Sequence, residues 1–271
     1  MVQKIVFTFK DEARDELVDR SQRMVRTGPP LKLIGTNRSV RFLRGVFSRA
    51  SFCLPAFYYF LGAASAHEEA KSSKDYPFKV AQTYSEFSDL NTITLSCRKI
   101  FDHATKPDLT GANFAKTTDD SLIMHAEYWS KSSSRSAEDA LTALTFLRHV
   151  FSRCSKTDTD LLQENTQLQR RIGILKQHAD RAAAHLSLEN YAVAIQDVVH
   201  FVGASAILGE IIRSFDTPSL GASYFNEIDA AAYQAAKRVF PQIPKFQLFA
   251  KMKIEMQARI TAVRLNERAN R

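Results

Sequence analysis

Beyond residue 10 the chain has no alternating apolar–polar run of the kind a half-buried strand requires. Apolar positions recur instead at steps of three and four, the spacing that gathers them on one face of a helix. Val40, Leu43, Val46 and Phe47 form one such face, with Arg41, Arg44 and Arg49 around it. Residues 50–66 follow as seventeen positions without a charge. From residue 75, Val80, Tyr84, Phe87, Leu90, Cys97 and Phe101 line the inner face of a further helix ending near Asp102. Pro107 and Gly111 then mark a loop, and a shorter helix over 121–129 leads to the polar linker 131–136. Ser136 with Asp139 three residues on is a helix-start signal, and Leu141, Leu144, Leu147 and Phe151 continue behind it.

The longest periodic stretch begins at the cap signal Thr157-Asp158-Thr159-Asp160. Leu161, Asn165, Leu168, Ile172, Leu175, Ala179, Ala182 and Leu186 alternate in steps of four and three, which predicts one long helix over about 158–186. A break at Ser187 separates it from a second long helix over about 188–215, carrying Tyr191, Ile195, Val198, Val202, Ile212 and Phe215. A turn that short makes the two antiparallel neighbours. Thr217-Pro218 closes the pair, a helix over about 225–239 follows, and Pro241 and Pro244 introduce a basic amphipathic C-terminal helix over 246–266. At the other end, residues 2–9 read as one strand or an extended arm, and 11–24 as a helix stopped by Gly28-Pro29-Pro30. The expected fold is all-α: a helical bundle built on the long antiparallel pair. Residues 1–70 form a basic N-terminal extension carrying the apolar helix 50–66, and 71–271 form the helical domain.

Composition agrees with long helices, since 9 glycines and 8 prolines in 271 residues are few for a sandwich, barrel or Gly-rich nucleotide fold. Three cysteines without a CxxC pair exclude a disulfide framework and disfavour zinc, so a reducing, cytoplasmic setting is expected, with no metal and no cofactor. Charge changes the picture more. The net +8 is concentrated at the two ends: residues 1–50 carry 11 bases against 5 acids, residues 241–271 carry 7 against 2, and the middle is slightly acidic. From Arg20 to Arg49 there are eight bases and no acid, which suits an RNA backbone, a membrane surface or a protein partner. Residues 50–66 span about 25 Å as a helix, short of the ~30 Å hydrocarbon core, and contain Pro55, Tyr58 and Tyr59. A core helix or a dimer-forming helix is therefore favoured over membrane attachment. The Ala64-Ser65-Ala66 tripeptide resembles a signal-peptidase site, but the segment before it is too long for an ordinary signal peptide.

Candidate chemistry gathers late in the long helix. Arg171, His178, Arg181 and His185 fall on one stripe beside the apolar seam, four cationic or titratable groups that invite an anion. The string Ala179-Asp180-Arg181-Ala182-Ala183-Ala184-His185 resembles the HEPN superfamily. Its abortive-infection branch commonly shows Arg-Asn-Lys-x-x-Ala-His at this point, and Ser96-Cys97-Arg98-Lys99-Ile100-Phe101-Asp102 is similar to an upstream basic-then-Asp element. The resemblance covers about residues 75–215 and is degenerate: Ala179 stands where the family has Arg, Arg181 matches the family's Lys, and His178 substitutes in part. It implies a homodimeric helical bundle acting on RNA in a defence or toxin system, as a metal-independent endoribonuclease in which the 2′-hydroxyl attacks the adjacent phosphate. His185 would then be the acid–base group, Arg181 would hold the phosphate, and Asp180 would orient a neighbour. Arg171, Arg41, Arg44 and Arg98 would supply backbone contacts, and an antitoxin or other protein partner is implied. The alternative is a non-catalytic oligomerisation or partner-binding module, membrane-associated through residues 40–66. His125-Ala126-Glu127 near Trp129, and the isolated His103, His149 and His200, lack metal-ligand spacing; His200, beside Val198 and Val202, reads as a half-buried histidine.

Overall fold

The computed structural model describes residues 36–70, 76–104, 110–132, 136–180, 193–216 and 224–243, and these are helical with no strand among them. The all-α class is as the periodicity requires. In chain order the helices are α1 (Thr36–Ala70), α2 (Tyr76–Ile100), α3 (Gly111–Ala115), α4 (Asp119–Ser132), α5 (Ala137–Cys154), α6 (Asp158–Leu162), α7 (Gln167–His178), α8 (Ile195–Asp216) and α9 (Tyr224–Val239). The arm 2–9, the helix 11–24, the turn at Ser187 and the C-terminal helix 246–266 lie outside the described residues.

The first helix organises the rest. Leu43, Val46, Ala50, Leu54, Phe57 and Leu61 recur at three- and four-residue steps and are buried, so one stripe of α1 runs through the core along most of its length. It packs on α2, α8 and α9. Residues assigned on sequence to an N-terminal extension thus share one apolar cluster with Ile93, Leu144, Ile172, Val202 and Phe225. Rings tie the layers together: Phe42 packs on Phe114 and Phe151 at centroid distances of 5.6 and 5.0 Å, Phe101 on Phe151 and Phe201, and Phe47 on Tyr224 and Phe225.

Caps read from the sequence are in place. The Ser136 hydroxyl accepts from the Asp139 amide at 3.0 Å and that of Thr157 from Asp160 at 3.1 Å, each satisfying one orphan donor of a helix start. Two expectations differ. Phe87 is exposed, and among the side chains described from Phe87 onward Ile93 is the first that is buried. The single helix expected over 158–186 is divided: α6 stops at Leu162, residues 163–166 turn, and α7 starts from Thr166. Asn165, placed on the seam, is exposed in that turn. The chain folds back so closely that a Cβ on Gly173 would stand 3.0 Å from Leu161 and 3.2 Å from the Asp158 carbonyl oxygen, tight enough that a side chain there would have to push its neighbours back by a few tenths of an ångström.

One helix is buried nearly all round. In α8 every residue from Phe201 to Gly209 is buried, as befits a central core helix. Its Ile195–Arg213 stretch is the one segment of the described residues long and apolar enough to cross a membrane, and 72% of it is enclosed by the fold.

Candidate nucleic-acid interface

The helical repeat that buries Leu43, Val46 and Ala50 turns Arg41, Arg44, Gly45, Ser48 and Arg49 outward, and all five are exposed. The same face ends in Phe52, which is 63% exposed although it is large and apolar. No Asp or Glu occurs from residue 20 to residue 67, so α1 brings no acid of its own to this face. Among the described residues nothing stands within 4 Å of where a Cβ would sit on Gly45. Arginines flanking an exposed ring combine a charge for phosphate with a flat surface for an unstacked base. The sequence pattern places Arg49 with Arg41 and Arg44 around this helix but assigns phosphate contact only to the latter two, and it does not single out Phe52. The spacing of Arg49 and Phe52 from Arg41, eight and eleven residues, was the available signal.

The second candidate region lies where α2 and α7 end. Beyond His178 the helical turn widens over Ala179 and Asp180, and the Asp180 carboxylate forms an ion pair with the Arg98 guanidinium at 2.6 Å. Arg98 and Asp180, one from each of the two segments carrying the HEPN resemblance, are therefore in contact. The pair is partly open to solvent, the side chains being 40% and 31% exposed, so it orients these groups more than it stabilises the fold. Beneath it Lys176 is buried, and its Nζ donates to the carbonyl oxygens of Phe101 and Lys156. Burial holds this ammonium below its usual range, against the pull of Cys97, Asp102, Asp180 and Asp158. Lys176 escaped the sequence reading because its partners are backbone oxygens of two separate chain segments.

The expected stripe is not an open surface. His178 is buried, and Arg171 is engaged by Asp197 at 2.7 Å, the two side chains being 15% and 8% exposed. Asp197 also accepts from the Ala194 amide, and His200 lies buried beside the pair. Its imidazole is held below the usual range first by burial, then by the Arg171 charge, while Asp197 acts the other way. Arg171 is committed inside the protein and is withdrawn from the set of phosphate contacts. Arg181 and His185 lie outside the described residues.

Thiol chemistry has no place in either region. Cys53, Cys97 and Cys154 are all buried; desolvation pushes Cys53 and Cys154 up to about 12 and Cys97 well above its ordinary value, so the nucleophilic thiolate is suppressed. Among the described residues no group of three or more His, Cys, Asp or Glu is placed to hold a metal ion. Comparison of the chain with protein families, with curated proteins and with solved structures finds no match.

Proposed function

We propose that this is a cytoplasmic RNA-binding helical protein that grips RNA through the exposed face of α1, with the degenerate HEPN-like motif at 179–185 supplying any cleavage from a homodimer. One observation carries the reading: Arg41, Arg44 and Arg49 stand exposed on one helix, around the outward Phe52, in a stretch with no acid. Phosphate attraction and base stacking use that pairing of residue types on one face.

The test is fluorescence anisotropy of a single-stranded RNA across a salt series. Replacing Arg41, Arg44 and Arg49 together by Gln should lower the slope of log K against log salt by about 2, at roughly 0.7 per phosphate contact. Phe52→Ala should weaken binding about tenfold with the slope unchanged. RNA binding by the triple variant equal to wild type sinks the assignment. Retention on anionic lipid vesicles, with none on RNA, transfers the face to a membrane role and equally overturns it. Cleavage is tested separately in EDTA, where His185→Ala should abolish any product; equal cleavage by the variant, or none by wild type, ends the nuclease reading.

A further inference from the structure

A cavity of about 290 Å³ opens where α1 passes α3 and the start of α4. It is at the small end of ligand-site sizes. Its walls are of three kinds. Phe42 and Phe114, stacked on each other at 5.6 Å, give a flat apolar side. Ser39 and Ser121 give hydroxyls, and the exposed Lys116 contributes a cation. His125 completes the lining, on the same face of α4 as Ser121, one helical turn on.

His125 is the unusual member. It is 1% exposed, yet among the described residues neither Nδ1 nor Nε2 has a hydrogen-bond partner. Trp129 covers it edge-on, with ring centroids 6.1 Å apart. Burial pushes the imidazole down to about 4, so at neutral pH it offers one N–H and one lone pair. Buried polar groups nearly always find a partner, and a core built only for packing would place Phe or Leu here. Of the two acids at the start of α4, Asp119 is held by the Arg148 guanidinium at 2.6 Å, and Asp120 stands exposed beside Ser121.

We propose that this cavity binds a nucleobase, borne by a free nucleotide or by an unpaired residue of an RNA chain, with His125 and Ser121 reading the base edge, Phe42 and Phe114 against its plane, and Lys116 toward the phosphate. A neutral donor–acceptor imidazole beside an aromatic wall matches a heterocycle edge, and the lone lysine matches one phosphate. The RNA source rests on the reading given under Proposed function, since Ser39 and Phe42 belong to the helix that carries Arg41 and Arg44. The free-nucleotide source stands without it.

Calorimetric titration of the whole protein with the four nucleoside 5′-monophosphates, and with the matching nucleosides, decides the matter. At least one monophosphate should bind with sub-millimolar Kd. His125→Phe should weaken it about tenfold, and Lys116→Gln should remove the advantage of the monophosphate over its nucleoside. Should His125→Phe fail to fold, Ser121→Tyr, which fills the cavity from the partly exposed end of the same face, must abolish binding. A short RNA that competes with the monophosphate assigns the source to RNA, and one that does not assigns it to the free nucleotide. Absence of binding at several millimolar means that the cavity holds water only, and unchanged affinity in a folded His125→Phe protein places the ligand elsewhere; either result overturns the proposal. The first would leave the α1 face untouched, because Phe52→Ala reports on that face alone.

Discussion

Arg171→Met separates a structural arginine from a nucleic-acid contact. The guanidinium meets Asp197 at 2.7 Å, and the carboxylate's other oxygen accepts from the Ala194 amide at 3.1 Å. With side chains 15% and 8% exposed, water cannot replace the lost partner, and truncation leaves a buried carboxylate with one hydrogen bond. Breaking a buried pair from one side costs about 3–5 kcal/mol; the residual exposure and the Ala194 contact place this one near the lower end, at about 3 kcal/mol. In a chain of this size that corresponds to a fall in Tm of roughly 6–12 °C. Urea unfolding followed by far-UV circular dichroism measures it. Asp197→Asn in the Arg171→Met background keeps an acceptor for Ala194 and removes the stranded charge, so the double variant should recover most of the loss. A variant within about 0.5 kcal/mol of wild type, together with a reduced salt slope for RNA, would refute the reasoning and return Arg171 to the RNA surface.

Stability should fall as the solution is acidified from neutrality toward pH 4. Burial holds His125, His149 and His200 below their ordinary value near 6.5, so the unfolded chain binds more protons; stability is complete above about 6.5 and drains as pH drops. His125 alone, pushed down to about 4, accounts for about 3 kcal/mol by the time both states are protonated. Asp89, raised to about 6 by burial, works in the opposite direction, and unfolding curves that do not weaken between pH 7 and 4.5 would contradict this balance. Gly209→Ala should cost about 2–3 kcal/mol, because its Cβ would stand 2.3 Å from Cζ of Phe225 and 3.2 Å from Ala50; Phe225→Leu should relieve part of that, and additive losses would show that the contact is not the cause. All three cysteines should resist an aqueous thiol reagent until urea is added, and one fast-reacting equivalent in native protein would disprove their burial.

What the sequence made legible follows from how far each signal reaches. Helix starts at Ser136 and Thr157 were readable because a cap and its amide are three residues apart. The division of the 158–186 helix was misjudged because Leu161 and Leu168 keep the heptad step across the turn, and residues 163–166 contain neither Gly nor Pro. Thr166 followed by Gln169 has the spacing of a second helix start, though here the Thr166 hydroxyl donates to the Gln169 side chain and caps no backbone amide. Arg171 misled for a different reason: its partner lies 26 residues away, beyond any local pattern. The candidate interface was half visible, because periodicity separates the outward Arg41 and Arg44 from the inward Leu43, while the exposure of Phe52 depends on what the other helices leave uncovered. The lack of charge at 50–66 marks it on sequence as a membrane candidate, but among the described residues the stretch long and apolar enough to cross a membrane is Ile195–Arg213, whose few charges obscure it.

Helix α1 presents its arginines to solvent and its leucines to the core, and this joins recognition to folding. A polyanion that engages Arg41, Arg44 and Arg49 binds a surface that exists only while the opposite side of the same helix is packed. Occupancy must therefore raise the melting temperature, by the logarithm of ligand concentration over Kd. It also follows that this face cannot be transplanted or trimmed away as a tail: a truncation that removes it takes out the central pillar of the bundle.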